Sequence, residues 1–411
     1  MSAASLSIYP KATLPPVTIQ LPASKSESNR ALIIQALCKP RPSLHNLSEA
    51  RDTQTMQRLL NSDAHELDVL DAGTTMRFLA AYCAASGREA LLTGTPRMLE
   101  RPIGPLVNAL QQLGAPISYA VKEGYPPLKI EKNFQQQTER LSIRSDISSQ
   151  FISALLMIAP SLPKGLKLEL VGAISSRPYI QMTLDLMEHF GARWQWEGNT
   201  IEIAPGGYTP NEYSIEGDWS GASYWFSLVA LADQAEIFLP DLRQHSLQGD
   251  KRVIEIMEKL GVGTRWEGNG VHLFKTEAQP TVEQDFDDCP DLAQTIAVCC
   301  AAKGVSGRFT GLHSLRIKET DRIAALQNEL GKIGATLLEE KEGNGAWILT
   351  PSKALPKQVF INTYDDHRMA MAFAPLATKM EVTLEHPEVV NKSFPRFWEQ
   401  IERAGFGVVR A

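Results

Sequence analysis

Along this chain the hydrophobic and polar positions repeat one pattern six times. A short polar or glycine-containing cluster opens a helix of small and apolar residues, followed by a strand, a second amphipathic helix and usually a glycine stop. The clusters are Ser24-Lys25-Ser26, Ala72-Gly73-Thr74, Ser148-Ser149-Gln150, Asp218-Trp219-Ser220, Pro290-Asp291 and Asp366-His367-Arg368. Anchored on Lys25, Gly73, Ser149, Ser220, Asp291 and His367, they lie 48, 76, 71, 71 and 76 residues apart. Five of the second helices stop alike, at Leu113-Gly114-Ala115, Phe190-Gly191-Ala192, Leu260-Gly261-Val262, Ile333-Gly334-Ala335 and Ala404-Gly405-Phe406. A period this long marks one α/β unit that buries its apolar face only against its neighbours.

The second unit shows the grammar best. It predicts a buried helix over Gly73–Ala85, a strand over Ala90–Leu92, an amphipathic helix over Pro102–Gly114 and a strand over Pro116–Val121. Later units repeat the order, with helices near Phe151, Tyr224, Leu292 and Met369 and strands near Leu168, Glu236, Gly307 and Val382. The first unit is about 25 residues short and has no glycine stop. One helix, Thr53–Leu60, and a short link replace the β-hairpin there. Three units per half give two domains, 18–216 and 217–411, with residues 1–17 joining the second. An active site is expected between them, where ligand sites commonly lie.

Composition narrows the class. The chain has 411 residues, 43% hydrophobic and 21% charged, which suits a globular protein of two domains. No apolar run is long enough to span a membrane, and the polar, proline-rich start resembles neither a signal nor a transit peptide. A cytoplasmic location is expected. Five cysteines, Cys38, Cys83, Cys289, Cys299 and Cys300, read as buried thiols, and the eight histidines show no zinc-ligand spacing. A net charge of −6 argues against nucleic-acid partners and makes any local convergence of cations informative.

Such a convergence exists at the unit starts. Leu21 to Arg30 places hydroxyls, Lys25 and Arg30 around a helix start, where orphan N–H groups and the dipole already favour an anion. Lys318 to Arg322, Asp365 to Arg368 and Lys392 to Phe394 put further cations at expected helix starts, where they are disfavoured without an anionic partner. Lys25, Arg30, Arg101, Arg322, Arg368 and Lys392 together suggest substrates with phosphate and carboxylate groups. Asp291 and Glu319 lie among them as acid–base candidates. The chain has no G-x-S-x-G, Walker A or G-x-G-x-x-G motif.

The assembled motifs resemble the EPSP synthases, a family of enolpyruvyl transferases. They are LPxSKSxSNRAL at Leu21–Leu32, AGTTMR at Ala72–Arg77, PRMLERPIGPL at Pro96–Leu106, SSQFISALLM at Ser148–Met157 and SSRPYI at Ser175–Ile180. EGDWSGASY at Glu216–Tyr224, QGD at Gln248–Asp250, RIKETDR at Arg316–Arg322 and DDHRMAMAF at Asp365–Phe373 follow. The resemblance implies a two-domain α/β fold of six βαβαββ-type units. It also implies transfer of the enolpyruvyl group of phosphoenolpyruvate to the 5-hydroxyl of shikimate 3-phosphate, a step of aromatic amino acid biosynthesis, with no metal or organic cofactor. The chain is expected to be a monomer.

By motif position, the resemblance implies that Lys25, Ser26, Arg30, Ser148, Ser149, Gln150, Ser176, Asp291, Ser314 and Lys318 hold shikimate 3-phosphate. It gives phosphoenolpyruvate to Lys25, Gly73, Arg101, Gln150, Arg322, Arg368 and Lys392. Asp291 is implied as base, with Glu319 and Lys25 protonating the methylene carbon. Asp71, Phe78 and Ser314 depart from the family's common Asn, Pro and Asn. The rival readings are a UDP-N-acetylglucosamine enolpyruvyl transferase and an inactive phosphometabolite-binding relative. Against the first, Thr93–Arg101 lacks that enzyme's reactive cysteine, and against the second, Lys25, Asp291 and Glu319 are all present.

Overall fold

Six inner helices open the repeats: Lys25–Leu37, Gly73–Ser86, Ser149–Ile158, Trp219–Leu231, Ala293–Lys303 and His367–Phe373, within a computed structural model that describes residues 5–411. Their starts are fixed by capping chemistry. Ser24, Ser148, Asp218 and Asp366 each accept a hydrogen bond from a backbone N–H of the first turn, satisfying donors that a helix otherwise leaves open. The run Pro290–Leu292 enters its helix as a single 3₁₀ turn. Small and apolar composition all round the axis suits burial on every side. In Trp219–Leu231 all 13 residues are buried.

Each second helix is amphipathic and covers its own unit. These are Arg51–Leu60, Gly104–Leu113, Arg177–His189, Val253–Lys259, Arg322–Lys332 and Phe397–Arg403. The five glycine stops, Gly114, Gly191, Gly261, Gly334 and Gly405, all have φ between 80° and 99°. That is the left-handed conformation a side chain resists, and it ends the helix while turning the chain toward the next strand.

Five four-stranded sheets share one order, a parallel pair extended by an antiparallel hairpin. In the second unit, for example, Glu66–Asp68 runs parallel to Ala90–Thr93, which pairs with the hairpin of Ile117–Tyr119 and Leu128–Ile130. The short first unit has only the two-stranded parallel sheet of Leu44–His45 and Tyr213–Ser214. The last unit lacks one hairpin strand of its own, and Ser5–Ile8 fills the position between Glu381–Glu385 and Val408–Arg410.

Ser24–Ile215 forms one compact unit, and Glu216–Ala411 with the N-terminal segment through Ala23 forms the other. The expected boundary at residue 18 is therefore corrected to 24, and Glu216 also belongs to the second unit. The cause is strand pairing: Val17–Thr18 runs parallel to Ile237–Phe238, and Ala23 bridges to Gly217. In each unit the three inner helices pack on one another. In the second they bury a continuous core that includes Trp219, Trp225, Phe286, Phe373 and Phe397.

Glu216 secures the start of the second unit. It is 2% exposed, and its carboxylate accepts from Trp219 Nε1 at 2.7 Å, Arg243 N at 2.7 Å and Ser246 Oγ at 2.6 Å. Glu216→Ala would strand these donors, at a cost of about 3 kcal/mol. A lower urea midpoint at unchanged slope is the expected readout, and an unmoved midpoint would refute this role.

Candidate functional site

In the unit Ser24–Ile215, the inner helix starts are tied together by polar contacts. Lys25 is the first residue of its helix, and Asp52, 4% exposed, pairs with its Nζ at 3.0 Å. Thr75 Oγ1, on the second inner helix, donates to the Asp52 carbonyl at 3.3 Å, and Gln150 Nε2 on the third donates to Thr74 Oγ1 at 3.3 Å. Lys25, Gly73 and Gln150 thus meet at one end of this unit. Asp52 was not among the candidates, because nothing in its local sequence shows that it faces a lysine 27 residues earlier.

Arg101 lies against Gly73: a Cβ built on that glycine would come within 2.7 Å of the Arg101 Nη1. Its loop is pinned by buried Arg77, which donates to Gly73 O at 3.2 Å and Pro102 O at 3.1 Å. Arg101 is 8% exposed. Among the described residues no carboxylate pairs with it, and its buried Nε has no acceptor. A guanidinium so far removed from water and left unmatched is costly unless an anion joins it.

Arg30 serves a different end. It is 2% exposed and donates to Thr183 Oγ1 at 2.7 Å, Ser26 O at 2.9 Å, Ser153 Oγ at 3.2 Å and Tyr179 O at 3.4 Å. These bonds tie its helix to Ser149–Ile158 and Arg177–His189 and take up most of its five donors. Burial pushes its guanidinium down to about 10. Phe78, at a departure from the family pattern, is buried with its ring centroid 5.4 Å from the Arg30 Cζ. Asp71, another departure, is held by Arg51 at 2.9 Å. Ser26, Ser149 and Ser176 are half-buried, and Ser176 adopts a left-handed φ of 56° ahead of its helix.

In the second unit the cations are matched by acids. Arg322, 1% exposed, donates from Nε to Asp366 at 2.7 Å, from Nη2 to Glu319 at 2.9 Å and from Nη1 to Asp291 at 3.2 Å. Arg368 donates to the other Asp291 oxygen at 2.7 Å, to Ser220 Oγ at 2.6 Å and to Tyr224 OH at 3.3 Å. Burial would push the Asp291 carboxyl up, but Arg368, Lys318 and Arg322 outweigh it and hold it well below the usual range. Lys392, 1% exposed, stands 4.0 Å from the second oxygen of Glu319.

The motif Lys318 to Arg322 opens a helix as expected, with Asp321 as cap and Arg322 as first residue, so that Lys318 and Glu319 lie just ahead of it. The start expected at Lys392 is corrected. Lys392 ends the 3₁₀ turn Pro387–Lys392 and does not open a helix. There the motif's short polar side chains favour a turn over a continuing helix. Ser314 lies half-buried within the 3₁₀ turn His313–Ile317. Glu329 also went unforeseen: buried, it accepts from Tyr364 OH at 2.8 Å and Asn362 N at 3.1 Å. It thereby anchors the left-handed pair Tyr364-Asp365, with φ of 55° and 53°, that leads into Asp366 and Arg368.

Inner helix starts with clustered cations and carboxylates, four of the six under polar caps, define an α/β protein suited to small, multiply charged anions. Residues 57–401 match the family described as EPSP synthase (3-phosphoshikimate 1-carboxyvinyltransferase). A 3-phosphoshikimate 1-carboxyvinyltransferase of Bacteroides fragilis is 47% identical, over 95% of this chain and 96% of its own length. One from Idiomarina loihiensis is 36% identical over 94% and 96%. The solved EPSP synthase of Acinetobacter baumannii superposes with a TM-score of 0.80 at 20% identity, covering 99% of this chain and all of that one, which is a likeness of fold. The chain belongs to the EPSP synthase family.

Because its folded-state affinity for protons is depressed, Asp291 contributes stability above about pH 4 that is lost as pH falls through its lower folded value. Asp291→Asn should therefore melt below wild type at pH 7, with the deficit narrowing below about pH 4. A deficit independent of pH in calorimetric scans would contradict the assignment.

Proposed function

We infer that this chain transfers the carboxyvinyl group of phosphoenolpyruvate to the 5-hydroxyl of shikimate 3-phosphate, releasing phosphate. Its family and its curated relatives support this reading, and those relatives are named for shikimate 3-phosphate, not for a nucleotide sugar. The observation that carries it is the unmatched, nearly buried guanidinium of Arg101 against Gly73. A phosphate or carboxylate supplies the charge it lacks, and arginine offers such groups paired donors. The chain acts as a cytoplasmic monomer.

Lys25, Gly73, Arg101, Gln150, Arg322, Arg368 and Lys392 bind phosphoenolpyruvate in this account. Lys25, Ser26, Arg30, Ser148, Ser149, Gln150, Ser176, Asp291, Ser314 and Lys318 bind shikimate 3-phosphate. Of these, Arg30 contributes chiefly by fixing the helix that carries Lys25 and Ser26, since its own donors are largely committed.

Asp291 takes the proton of the 5-hydroxyl as its oxygen attacks the second carbon of phosphoenolpyruvate. Glu319, with Lys25, delivers a proton to the methylene carbon, giving a tetrahedral phosphate ketal. Loss of phosphate and of a proton from the new methyl group then restores the double bond. Both Asp291 oxygens are bonded to arginines, which suppresses its basicity. Substrate anions that draw Arg322 and Arg368 toward themselves raise that basicity when the hydroxyl is in place. The same arginines stabilise the charge redistributed in each step.

The direct experiment incubates the purified protein with phosphoenolpyruvate and either shikimate 3-phosphate or UDP-N-acetylglucosamine. Phosphate release with the first acceptor alone is expected, and release with the second, or with neither, would overturn the reading. Glu319→Gln should lower turnover by about 100-fold or more while retaining shikimate 3-phosphate binding, and near-normal turnover would remove Glu319 from its role. Glyphosate should compete with phosphoenolpyruvate. Gly73→Ala, whose methyl group would displace the Arg101 guanidinium, should raise the inhibitor's constant more than the KM for phosphoenolpyruvate. Equal changes would contradict that prediction.

A further inference from the structure

Arg51 and Asp52 open the second helix of the first unit, and the start of that helix is fastened by three contacts. Ser48, just ahead of it, donates from its backbone N to Ser28 Oγ at 3.0 Å, on the helix that begins at Lys25. Thr75 Oγ1 donates to the Asp52 carbonyl, and Arg51 Nη2 donates to both carboxylate oxygens of Asp71 at 2.9 Å, two residues before Gly73. The Asp52 side chain is thereby held beside two inner helix starts, and it is 4% exposed. An acid in the first turn of a helix ordinarily serves the dipole from the surface. A carboxylate buried this deeply needs a cation, and Lys25 Nζ stands 3.0 Å from its Oδ2.

We propose that Asp52 is a positioning residue for the transfer: it fixes the ammonium of Lys25, so that the other N–H donors of that group are presented to the substrate anions. An ammonium carries three donors on a flexible four-carbon stem. Lys25 serves both substrates in the proposed reaction, and a buried acceptor gives its ammonium one orientation in which to do so. The ordering of the stem is then a cost of folding and not of binding. Asp52 does this at an electrostatic disadvantage, because a carboxylate beside an anion site repels what binds there. Charge alone therefore predicts that anions bind more tightly without Asp52, and positioning predicts the reverse.

This inference rests on Lys25 as a ligand of both substrates, and the test separates the two claims. Calorimetry gives Kd for shikimate 3-phosphate and steady-state assays give kcat/KM for phosphoenolpyruvate, in wild type, Asp52→Ala, Asp52→Asn, Lys25→Met and the double variant Lys25→Met/Asp52→Ala. Asp52→Ala should weaken shikimate 3-phosphate binding and lower kcat/KM by about tenfold each. Asp52→Asn keeps an oxygen for the ammonium and should recover most of both losses. In the double variant, removal of Asp52 should cost nothing beyond the loss of Lys25, because Asp52 acts only through it. Thermal melting shows which variants fold, and the comparison of asparagine with alanine stands even if Lys25→Met, which leaves a buried acid unpaired, does not fold. Binding in Asp52→Ala that is unchanged or tighter would overturn the proposal. So would an asparagine variant as impaired as the alanine variant, or an undiminished loss in the Lys25→Met background. If Lys25→Met itself leaves both quantities unchanged, it is the reading of Lys25 that fails.

Discussion

A guanidinium removed from water must find acceptors or negative charge, and the cations of the two units meet this constraint differently. The repeat gathers three inner helix starts at one end of each unit, where open N–H groups and caps make the surroundings polar. In the second unit Arg322 is matched by Asp291, Glu319 and Asp366. In the first, Lys25 has Asp52, while Arg101 has no carboxylate among the described residues. On the proposed reading, anions that bind at the second unit exchange partners with existing acids, and at Arg101 they complete a charge balance that the fold leaves open.

This difference bears on the chemistry. Matched cations cost little to hold rigid, and in the proposed reaction their acids are the groups that move protons, which would couple binding and acid–base catalysis through shared hydrogen bonds. Asp291 is the clearest case, since each of its oxygens is bonded to a different arginine. The unmatched Arg101 is proposed to serve binding alone, and the fold keeps it in place by other means. Arg77 pins the Arg101 loop through backbone carbonyls, and Gly73 leaves room for the guanidinium.

Much of the architecture was legible in the sequence because it is written locally and repeated. Helix caps, small apolar helices and glycine stops each depend on a few adjacent residues, and the missing hairpin of the first unit showed as a shortened interval. What was hidden depends on pairing at long range. Nothing near Ser5–Ile8 says that it completes the sheet of the last repeat, or near Val17–Thr18 that it joins the second unit and moves the boundary. The cations and Asp291 and Glu319 stood out by motif and by their placement among apolar residues. Asp52 and Glu329 did not, because an acid on an ordinary helix looks unremarkable until its partner is known. The helix start expected at Lys392 was wrong for a related reason: a charged motif does not distinguish a helix from a turn leading to one.

The central claim is that Arg101 is buried for a ligand and not for the fold. It is tested most directly by the thermal stability of Arg101→Met, measured without substrates, beside its KM for phosphoenolpyruvate. Removing an unmatched buried charge should leave the melting midpoint equal to or above that of wild type, while the KM rises at least about 30-fold. A variant that melts well below wild type yet keeps its affinity for phosphoenolpyruvate would contradict the account.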